Sequence, residues 1–185
     1  MIESAQRSAT YEDLLRVPAH LVAEIIGGRL LTHPRPGPKH ALAYSSLGDE
    51  LVGPFQKGRG GPGGWWILDE PELHLGADIL VPNLAGWRKT RLPALPETAW
   101  FELAPDWVCE ILSASTARDD RAVKLPLYAR EGVLHVWLID PELRTLETFT
   151  LEDGRWVLLN TYTGDDSVNA PPFEPVAIEL SALWA

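Results

Sequence analysis

The sequence predicts an α/β or α+β fold organised around a mixed sheet. Two observations support this class: strand-like segments outnumber helical ones, and a helical segment joins two buried apolar strands. The length of 185 residues fits one domain with a substantial core, so residues 1–185 are expected to form a single unit.

The first half of the chain predicts a short helix, an N-terminal hairpin and a longer helix. Thr10 is a suitable N-cap for a helix over residues 11–16. Residues 21–31 are predicted to form two strands around Gly27-Gly28, a pair that tight hairpin turns use. Apolar residues at helical spacing predict a helix over residues 39–55. Short strands are then predicted over residues 65–68, 72–75 and 78–81.

The second half predicts the strand–helix–strand unit and a further hairpin. Its buried strands are expected over residues 107–112 and 135–139, with a helix over residues 116–131 between them. Pro126 lies inside this helix and predicts a kink. A hairpin is expected over residues 146–162, and the tail, residues 171–185, is expected to add a final strand and a short turn.

Composition excludes several classes of protein. The formal net charge of −10 does not suit a general nucleic-acid coating protein, because such proteins neutralise phosphates. No apolar run approaches the roughly 20 residues of a membrane-spanning helix, so no membrane association is expected. Cys109 is the single cysteine, which excludes an intramolecular disulfide and favours the reducing cytoplasm.

Acidic residues inside apolar strands are the most informative feature. Glu110 lies within WVCEIL, Glu24 within LVAEII, and Asp78 opens the apolar run Ile79-Leu80-Val81. An unpaired carboxylate is costly to remove from water, so such residues are ion-paired, hydrogen-bonded, protonated or metal-bound. Any one of these acids alone is explained well enough by a loop cap or an arginine partner. Together, the three acids predict a functional site.

Lys124 favours a catalytic interpretation of Glu110. It lies on the helix that follows the Glu110 strand, and a crossover helix can place such a lysine over the end of its own strand. Clustered carboxylates beside a lysine suit a hard cation such as Mg²⁺ (or Mn²⁺), which takes oxygen ligands. The lysine can then orient or deprotonate a metal-bound water that attacks phosphorus.

Residues 105–141 resemble the signature of the Uma-type family of restriction endonucleases, which has the PD-(D/E)-x-K nuclease fold. The shared pattern is an acid in an apolar strand, a serine-rich turn, a lysine on the next helix, a tyrosine four residues on, and a tryptophan-containing strand ending in Asp-Pro. These features fall at Glu110, Ser113 to Thr116, Lys124, Tyr128, Trp137 and Asp140-Pro141. The resemblance extends over about residues 10–150, with the C-terminal strands of residues 151–185 expected in the same domain.

The resemblance implies a restriction-endonuclease-like mixed central sheet flanked by helices, and a metal-dependent endonuclease that hydrolyses DNA. Catalytic roles are implied for Glu110, Lys124, Asn83 and Glu24. The implied metal ligands are Glu110, Asn83 and Glu24, with Asp78 as a further candidate. His40 and Tyr128 are additional site candidates. By analogy with small nucleases that pair to cut two strands, a homodimer is expected.

Asn83 departs from the family pattern, because the family has Pro-Asp where this chain has Pro82-Asn83. An asparagine offers a carbonyl oxygen but removes a full negative charge from a Mg²⁺ site, so a weakened or inactive site is expected. Asp78 lies five residues earlier and points to the opposite face of a regular strand, so only a bulge or strand end would let it substitute.

Other interpretations remain open at this point. Arg88, Lys89, Arg118 and Arg121 are candidate contacts to a DNA backbone, and a solvated face with local ion pairs explains them equally well. A catalytically inactive nuclease-fold module that binds DNA or a protein partner is the alternative that Asn83 favours. A saccharide-binding surface on Trp65 and Trp66 predicts that these two rings are exposed side by side.

Overall fold

The computed structural model describes residues 7–185, which form a six-stranded, a four-stranded and a two-stranded β-sheet with helices packed against them. The α-helices are α1 (Tyr11–Leu15), α2 (Pro38–Leu51), α3 (Ala117–Asp119) and α4 (Leu125–Arg130). Two π-helical turns extend them, Val52–Gln56 after α2 and Asp120–Lys124 between α3 and α4, and a 3₁₀ helix spans Leu180–Leu183.

The strands follow the predicted order, with two additions, over residues 84–88 and 167–168. They are β1 (Leu21–Ile26), β2 (Arg29–Pro34), β3 (Trp65–Asp69), β4 (Leu73–Leu75), β5 (Asp78–Leu80), β6 (Leu84–Arg88), β7 (Trp107–Ile111), β8 (His135–Asp140), β9 (Thr145–Glu152), β10 (Arg155–Thr163), β11 (Ser167–Val168) and β12 (Ile178–Glu179). The larger sheet has the order β10-β9-β8-β7-β6-β3, and a four-stranded sheet has the order β2-β1-β5-β4.

The larger sheet is mixed, as predicted. β7 and β8 run parallel and are joined by the α3–α4 helical segment, whereas every other neighbouring pair in this sheet is antiparallel. A parallel pair needs a crossover connection, and the helix predicted between the two buried strands supplies it. The expected fold class is therefore confirmed.

β6 was not predicted as a strand, because Pro82 precedes it and Gly86 interrupts its apolar residues. The structure shows why a glycine lies there. A Cβ at Gly86 would lie 3.2 Å from side-chain atoms of both Ile67 and Trp107. The missing side chain thus lets neighbouring strands and their aromatic rings pack closely.

Two hydrophobic clusters cover the two faces of the larger sheet. One lies under α2 and the C-terminal segment and includes Leu47, Trp107 and Phe173. The other lies under α4 and the smaller sheet and includes Leu80, Val108 and Tyr128. Alternation along β7 therefore places Glu110 on the second face, with Val108, as the sequence predicted. Among the described residues no helix is long and apolar enough to cross a membrane.

Phe173 holds the first cluster together, since its ring centroid lies 4.7 Å from that of Phe55 and 5.0 Å from those of Trp65 and Trp107. We expect Phe173→Ala to lower the free energy of unfolding by about 3–5 kcal/mol, because it leaves a cavity among rigid rings. Urea denaturation measures the change. Leu143→Ala is the matched control, because Leu143 is 73% exposed and its truncation should cost less than about 0.5 kcal/mol. Equal losses in the two variants would contradict this account of the core.

Candidate functional site

A buried ion cluster lies where three segments of the chain meet. Glu24 comes from β1, Glu110 from β7, and Lys124 from the π-helical turn that precedes α4. The Lys124 Nζ lies 2.8 Å from Glu110 Oε1 and 3.0 Å from Glu24 Oε1. The crossover helix therefore returns its lysine to the strand that it follows, as predicted.

Burial makes this cluster energetically significant. Glu24 and Glu110 are each 2% exposed, and Lys124 is 5% exposed. Further donors satisfy the same carboxylates: the Val81 N–H donates to Glu24 Oε1 at 2.8 Å, and the Tyr128 hydroxyl donates to Glu110 Oε1 at 2.5 Å. Buried charges are tolerated when they are paired and hydrogen-bonded in this way.

The environment shifts the pKa of each group in the cluster. Burial raises the pKa of Glu110 to about 7, although the Lys124 ammonium opposes the shift. Burial alone would favour a neutral lysine, yet the negative charges of Glu110 and Glu24 outweigh it and hold the pKa of Lys124 above its usual value. Burial, together with the Glu110 charge, raises the pKa of Tyr128 well above its usual value. Lys124 is therefore an ammonium donor in this state and not a free base.

Asn83 lies beside Glu110 at the start of β6. Its Oδ1 accepts a hydrogen bond of 2.8 Å from the N–H of Ile111, the residue after Glu110. His40, at the start of α2, contacts the same two neighbours, and burial lowers the pKa of its imidazole while hydrogen bonding to Ile111 and Asn83 opposes that shift. The Nδ1 atom of His40 is buried without a hydrogen-bond partner among the described residues.

A cavity of about 50 Å³ opens among these groups. This volume suits a few water molecules or a hydrated ion and is too small for a nucleotide. Its lining includes the polar residues Glu24, His33, His40, Glu70, Asn83, Glu110, Ser113, Thr116, Asp120 and Lys124. The structure thus brings together the predicted Glu110, Lys124, Asn83, Glu24 and His40, with Tyr128 directly behind Glu110.

Asp120 belongs to the cluster and was not predicted to do so. Its Oδ1 lies 3.7 Å from Lys124 Nζ, it is 4% exposed, and burial raises its pKa. The available signal was its position four residues before Lys124, which places both side chains on one helical face.

Asp78 does not belong to the cluster, so its prediction as a metal ligand is corrected. It opens β5 in the smaller sheet, where its Oδ1 accepts from the Gly27 N–H at 2.6 Å and its Oδ2 pairs with Arg130 at 2.6 Å. Asp78 therefore stabilises the turn of the β1–β2 hairpin. Such a pairing with an arginine is a common structural role for an acidic residue in a strand.

Two of the predicted DNA contacts lie away from the cluster. Arg88 and Lys89 follow β6 at the end opposite Asn83, about 17 Å along the strand at the usual rise per residue. Their charges lie over indole rings, with Arg88 Cζ 4.5 Å from the Trp65 centroid and Lys89 Nζ 4.3 Å from that of Trp66. Neither residue therefore lies at the cluster.

Arg118 and Arg121 lie on the helical segment that carries Lys124, and both are exposed. Arg121 forms an ion pair with Glu147, at 2.5 Å. Arg118 has no ion-pair partner within residues 7–185. Arg118 is consequently the predicted DNA contact that is both near the cluster and free of a competing carboxylate.

The structure also contradicts a saccharide-stacking surface on Trp65 and Trp66. Trp65 is 4% exposed and packs against Phe173, and the two rings lie on opposite faces of β3. Trp66 donates its indole N–H to the Leu92 carbonyl at 2.9 Å. Neither ring offers a face for a sugar.

A divalent metal fits this site as a partly hydrated ion. Among residues 7–185, no group of three or more His, Cys, Asp and Glu side chains is placed to hold a metal. Mg²⁺ does not require such a group, because it retains several waters and is commonly held by one or two carboxylates with substrate phosphates. The Glu110 carboxylate and the Asn83 carbonyl oxygen supply hard oxygen donors beside the unsatisfied Nδ1 of His40.

Comparison with known proteins places the chain in a family and identifies a shared fold. The family model described as "Putative restriction endonuclease" (Uma2) matches residues 9–182. A solved structure described as a "putative nuclease belonging to DUF820", from Anabaena variabilis ATCC 29413, has a TM-score of 0.75 and 22% sequence identity; the match covers 95% of this chain and 97% of that one. None of the curated proteins compared with the chain matches it. The fold is thus shared with a solved protein of nuclease type, and because the family model spans nearly the whole sequence, the chain belongs to the Uma2 restriction endonuclease family.

Proposed function

We propose that this protein hydrolyses DNA phosphodiesters at the cavity beside Lys124, with Mg²⁺ or Mn²⁺ as cofactor, and that Asn83 weakens its activity. The observation that carries the proposal is the buried Lys124 ammonium held between Glu24 and Glu110, next to Asn83. Carboxylates, a lysine and a small polar cavity supply the groups that phosphoryl transfer to water requires.

Each side chain has a distinct role in this proposal. Glu110 and Asn83 would hold the metal, which when bound supplies positive charge to a non-bridging phosphate oxygen. Lys124 donates hydrogen bonds, so it orients the attacking water or a phosphate oxygen and does not remove a proton while its pKa stays above its usual value. Glu24 holds the ammonium in position, and Tyr128 fixes the Glu110 carboxylate through its hydroxyl.

Charge explains why Asn83 is expected to limit the reaction. An aspartate would have nearly the same shape and would accept the same Ile111 N–H, while adding a negative charge beside Glu110. With asparagine, the Lys124 ammonium already offsets much of the negative charge at the site. Attraction for a divalent cation is therefore reduced, and metal binding relies more on the phosphates of the substrate.

The second candidate function is an inactive nuclease-fold module that binds DNA or a protein partner. Asn83 favours this candidate because it removes a negative charge from the metal site. The small volume of the cavity is also compatible with it, because binding at the surface does not require a larger cavity. The proposal also includes a homodimer, on the analogy of small nucleases, and one functional unit over residues 1–185. A cytoplasmic location is proposed because the single cysteine, Cys109, is buried as a free thiol.

Restoring the acid tests the proposed role of position 83. We expect Asn83→Asp to raise the rate of supercoiled plasmid nicking with Mg²⁺ or Mn²⁺ by about tenfold to a hundredfold, because a second carboxylate strengthens the metal site. Gel assays over a metal titration measure the rate.

Two further variants serve as controls for that assay. Asn83→Asp combined with Lys124→Ala should lose the activity, whereas Asn83→Asp combined with Leu143→Ala should keep it, since Leu143 is 73% exposed and does not line the cavity. Circular dichroism verifies that each variant is folded. No nicking by either the original chain or the aspartate variant would favour the inactive binding module.

Lys124 should also contribute to stability, because it is the cation among three buried carboxylates. We expect Lys124→Met to lower the free energy of unfolding by about 3–5 kcal/mol, since the acids are left without a counter-charge. Adding Glu110→Gln to this variant should recover part of the loss by removing one of those charges. Urea denaturation without metal measures both effects, and a Lys124→Met variant of unchanged stability would show that the ion pairs are not formed.

Arg118 is proposed to contact a DNA phosphate near the site. We expect Arg118→Ala to weaken duplex binding and to reduce the slope of log affinity against log salt by about one, because one phosphate contact is lost. Arg88→Ala is the matched control, because Arg88 lies over Trp65 at the far end of β6. Fluorescence anisotropy at several salt concentrations measures the slopes. An equal change in both variants, or affinity that is independent of salt, would refute the assignment.

A further inference from the structure

A second cleft, called the outer cleft below, adjoins the cavity beside Lys124 and has a volume of about 500 Å³. It lies between the start of α2, the turn after β7 and the turn after β8, which contribute residues 37–40, 112–114 and 141–142. His40 and Ser113 line both the outer cleft and the cavity beside Lys124. Ligand sites commonly enclose about 300–1,000 Å³, so the outer cleft has room for a nucleotide.

The N-terminus of α2 leaves backbone donors free for a ligand. α2 has 14 residues, its N-cap is Gly37, and its first turn contains no acidic residue. Pro38 has no N–H, and within residues 7–185 no group accepts a hydrogen bond from the N–H of Lys39 or of His40. Free N–H groups at the positive end of a helix dipole favour anions, and phosphate groups in particular. This end of α2 thus has the donors for a phosphate and no side chain that uses them.

His40 is independent evidence for a ligand at this end of α2. It is only 9% exposed, and its Nδ1 atom is buried without a hydrogen-bond partner among the described residues. Helical side chains tilt toward the N-terminus of their helix, so the His40 ring leans into the outer cleft that it lines. A buried polar atom without a partner is costly. A phosphate oxygen can accept a hydrogen bond from the imidazole, either directly or through a water.

The charges around the outer cleft permit an anion. Among the described residues that line it, Lys39 and Glu142 carry full charges, and Lys39 Nζ lies 2.7 Å from Glu142 Oε2. The two side chains are 55% and 70% exposed, and exposed pairs of this kind are weak, so a phosphate can compete for the lysine. Asp140 lies nearby, but its Oδ1 accepts from the N–H groups of Glu142 and Leu143. Glu142 is therefore the carboxylate in the cleft that opposes an anion.

We propose that the N-terminus of α2 binds the phosphate of the nucleotide next to the scissile phosphate, with the sugar and base of that nucleotide in the outer cleft. This inference rests on the proposed nuclease function, since it concerns the same DNA strand. A strand whose scissile phosphate lies beside Lys124 passes directly into the outer cleft, because the two cavities share His40 and Ser113. Pro38 and Leu112 give the cleft an apolar wall against which a sugar or base can pack.

Nuclear magnetic resonance without metal tests whether this N-terminus binds a phosphate. Thymidine 5′-monophosphate should shift the backbone amide resonances of Lys39 and His40 in a saturable way, whereas thymidine, which has no phosphate, should leave them unchanged. Inorganic phosphate should shift the same resonances with a higher dissociation constant, because it makes no contact in the rest of the cleft. An equal dissociation constant for inorganic phosphate would overturn the placement of the sugar and base.

Gly37→Asp tests the backbone donors directly. Gly37 has φ −74° and ψ 175°, and a Cβ built there meets nothing within 4 Å, so an aspartate fits without strain. Its carboxylate should cap the free N–H groups and repel the phosphate, raising the dissociation constant of thymidine 5′-monophosphate by about tenfold or more. The new cap should also raise the midpoint of thermal unfolding, so the loss of binding would not reflect misfolding.

Gly48→Asp is the matched control for this variant. It adds the same charge about 16 Å along α2 at the usual rise per residue, and a Cβ at Gly48 also meets nothing within 4 Å. Its dissociation constant for thymidine 5′-monophosphate should stay close to that of the original chain. Equal effects of the two aspartates would show that net charge alone weakens binding and would overturn the site.

The ion pair across the outer cleft gives a test of opposite sign. Glu142→Gln should lower the dissociation constant of thymidine 5′-monophosphate by about twofold to fivefold, because the phosphate no longer competes with a carboxylate for Lys39. Adding Lys39→Ala should abolish that gain, since the two effects act through one contact. Isothermal titration calorimetry measures both changes. A gain that persists without Lys39 would contradict a phosphate contact by this lysine.

Failure of this site and failure of the nuclease proposal are distinguishable. Lys39 and His40 amides that do not respond to thymidine 5′-monophosphate would overturn the phosphate site even if the chain cleaves DNA. A response in a chain that nicks no plasmid, with or without Asn83→Asp, would leave the phosphate site and overturn the nuclease proposal. If Asn83→Asp nicks DNA, adding Gly37→Asp should raise KM by about threefold or more with little change in kcat. An unchanged KM would overturn the assignment of the site to the substrate strand.

Discussion

The ion pairs of Lys124 with Glu24 and Glu110 are the interaction on which the geometry of the site depends. These side chains come from a hairpin strand, a sheet strand and a helical turn, and all three are almost fully buried. A carboxylate without a counter-charge in such a place would be strongly disfavoured. The ammonium therefore fixes the β1–β2 hairpin against the larger sheet as well as the position of the crossover helix. The same contacts that stabilise the fold hold the groups needed for chemistry in place.

The parts of the structure that follow from local periodicity were predictable. Alternation along residues 107–112 placed Glu110 on a buried face, and the strand–helix–strand order required a parallel pair with a crossover. The return of Lys124 to its own strand follows from that connection. The resemblance to the nuclease family added Asn83 and His40 and grouped them with Glu24, which the pattern of acids in apolar strands had already indicated; no local pattern specifies that these residues lie near Glu110.

Features that depend on register between distant segments were not predictable. Asp78 resembles Glu24 in sequence, since both are acids in apolar strands, yet pairing of β1 with β5 directs Asp78 to Arg130. Arg88 is close to Asn83 in the chain, but β6 is straight and places it at the opposite end of the sheet. Asp120 was overlooked for the converse reason, because a π-helical turn brings it and Lys124 into the buried cluster. For Asp78 and Arg88 the surroundings of the side chain, and not its own sequence context, decide its role, whereas Asp120 carried a sequence signal in its spacing to Lys124.

Asn83 links the charge of the site to its expected activity. Burial raises the pKa of Glu110 although the Lys124 ammonium opposes the shift, so a negative charge is already costly at this position. An aspartate at position 83 would add a further negative charge next to it, and that charge would need a cation beyond Lys124. With asparagine the same hydrogen bond to the Ile111 N–H is made without that requirement. On the proposed mechanism, the amide would therefore keep the hydrogen bonding of the cavity while weakening its attraction for a metal, so this one position would affect activity without affecting the fold.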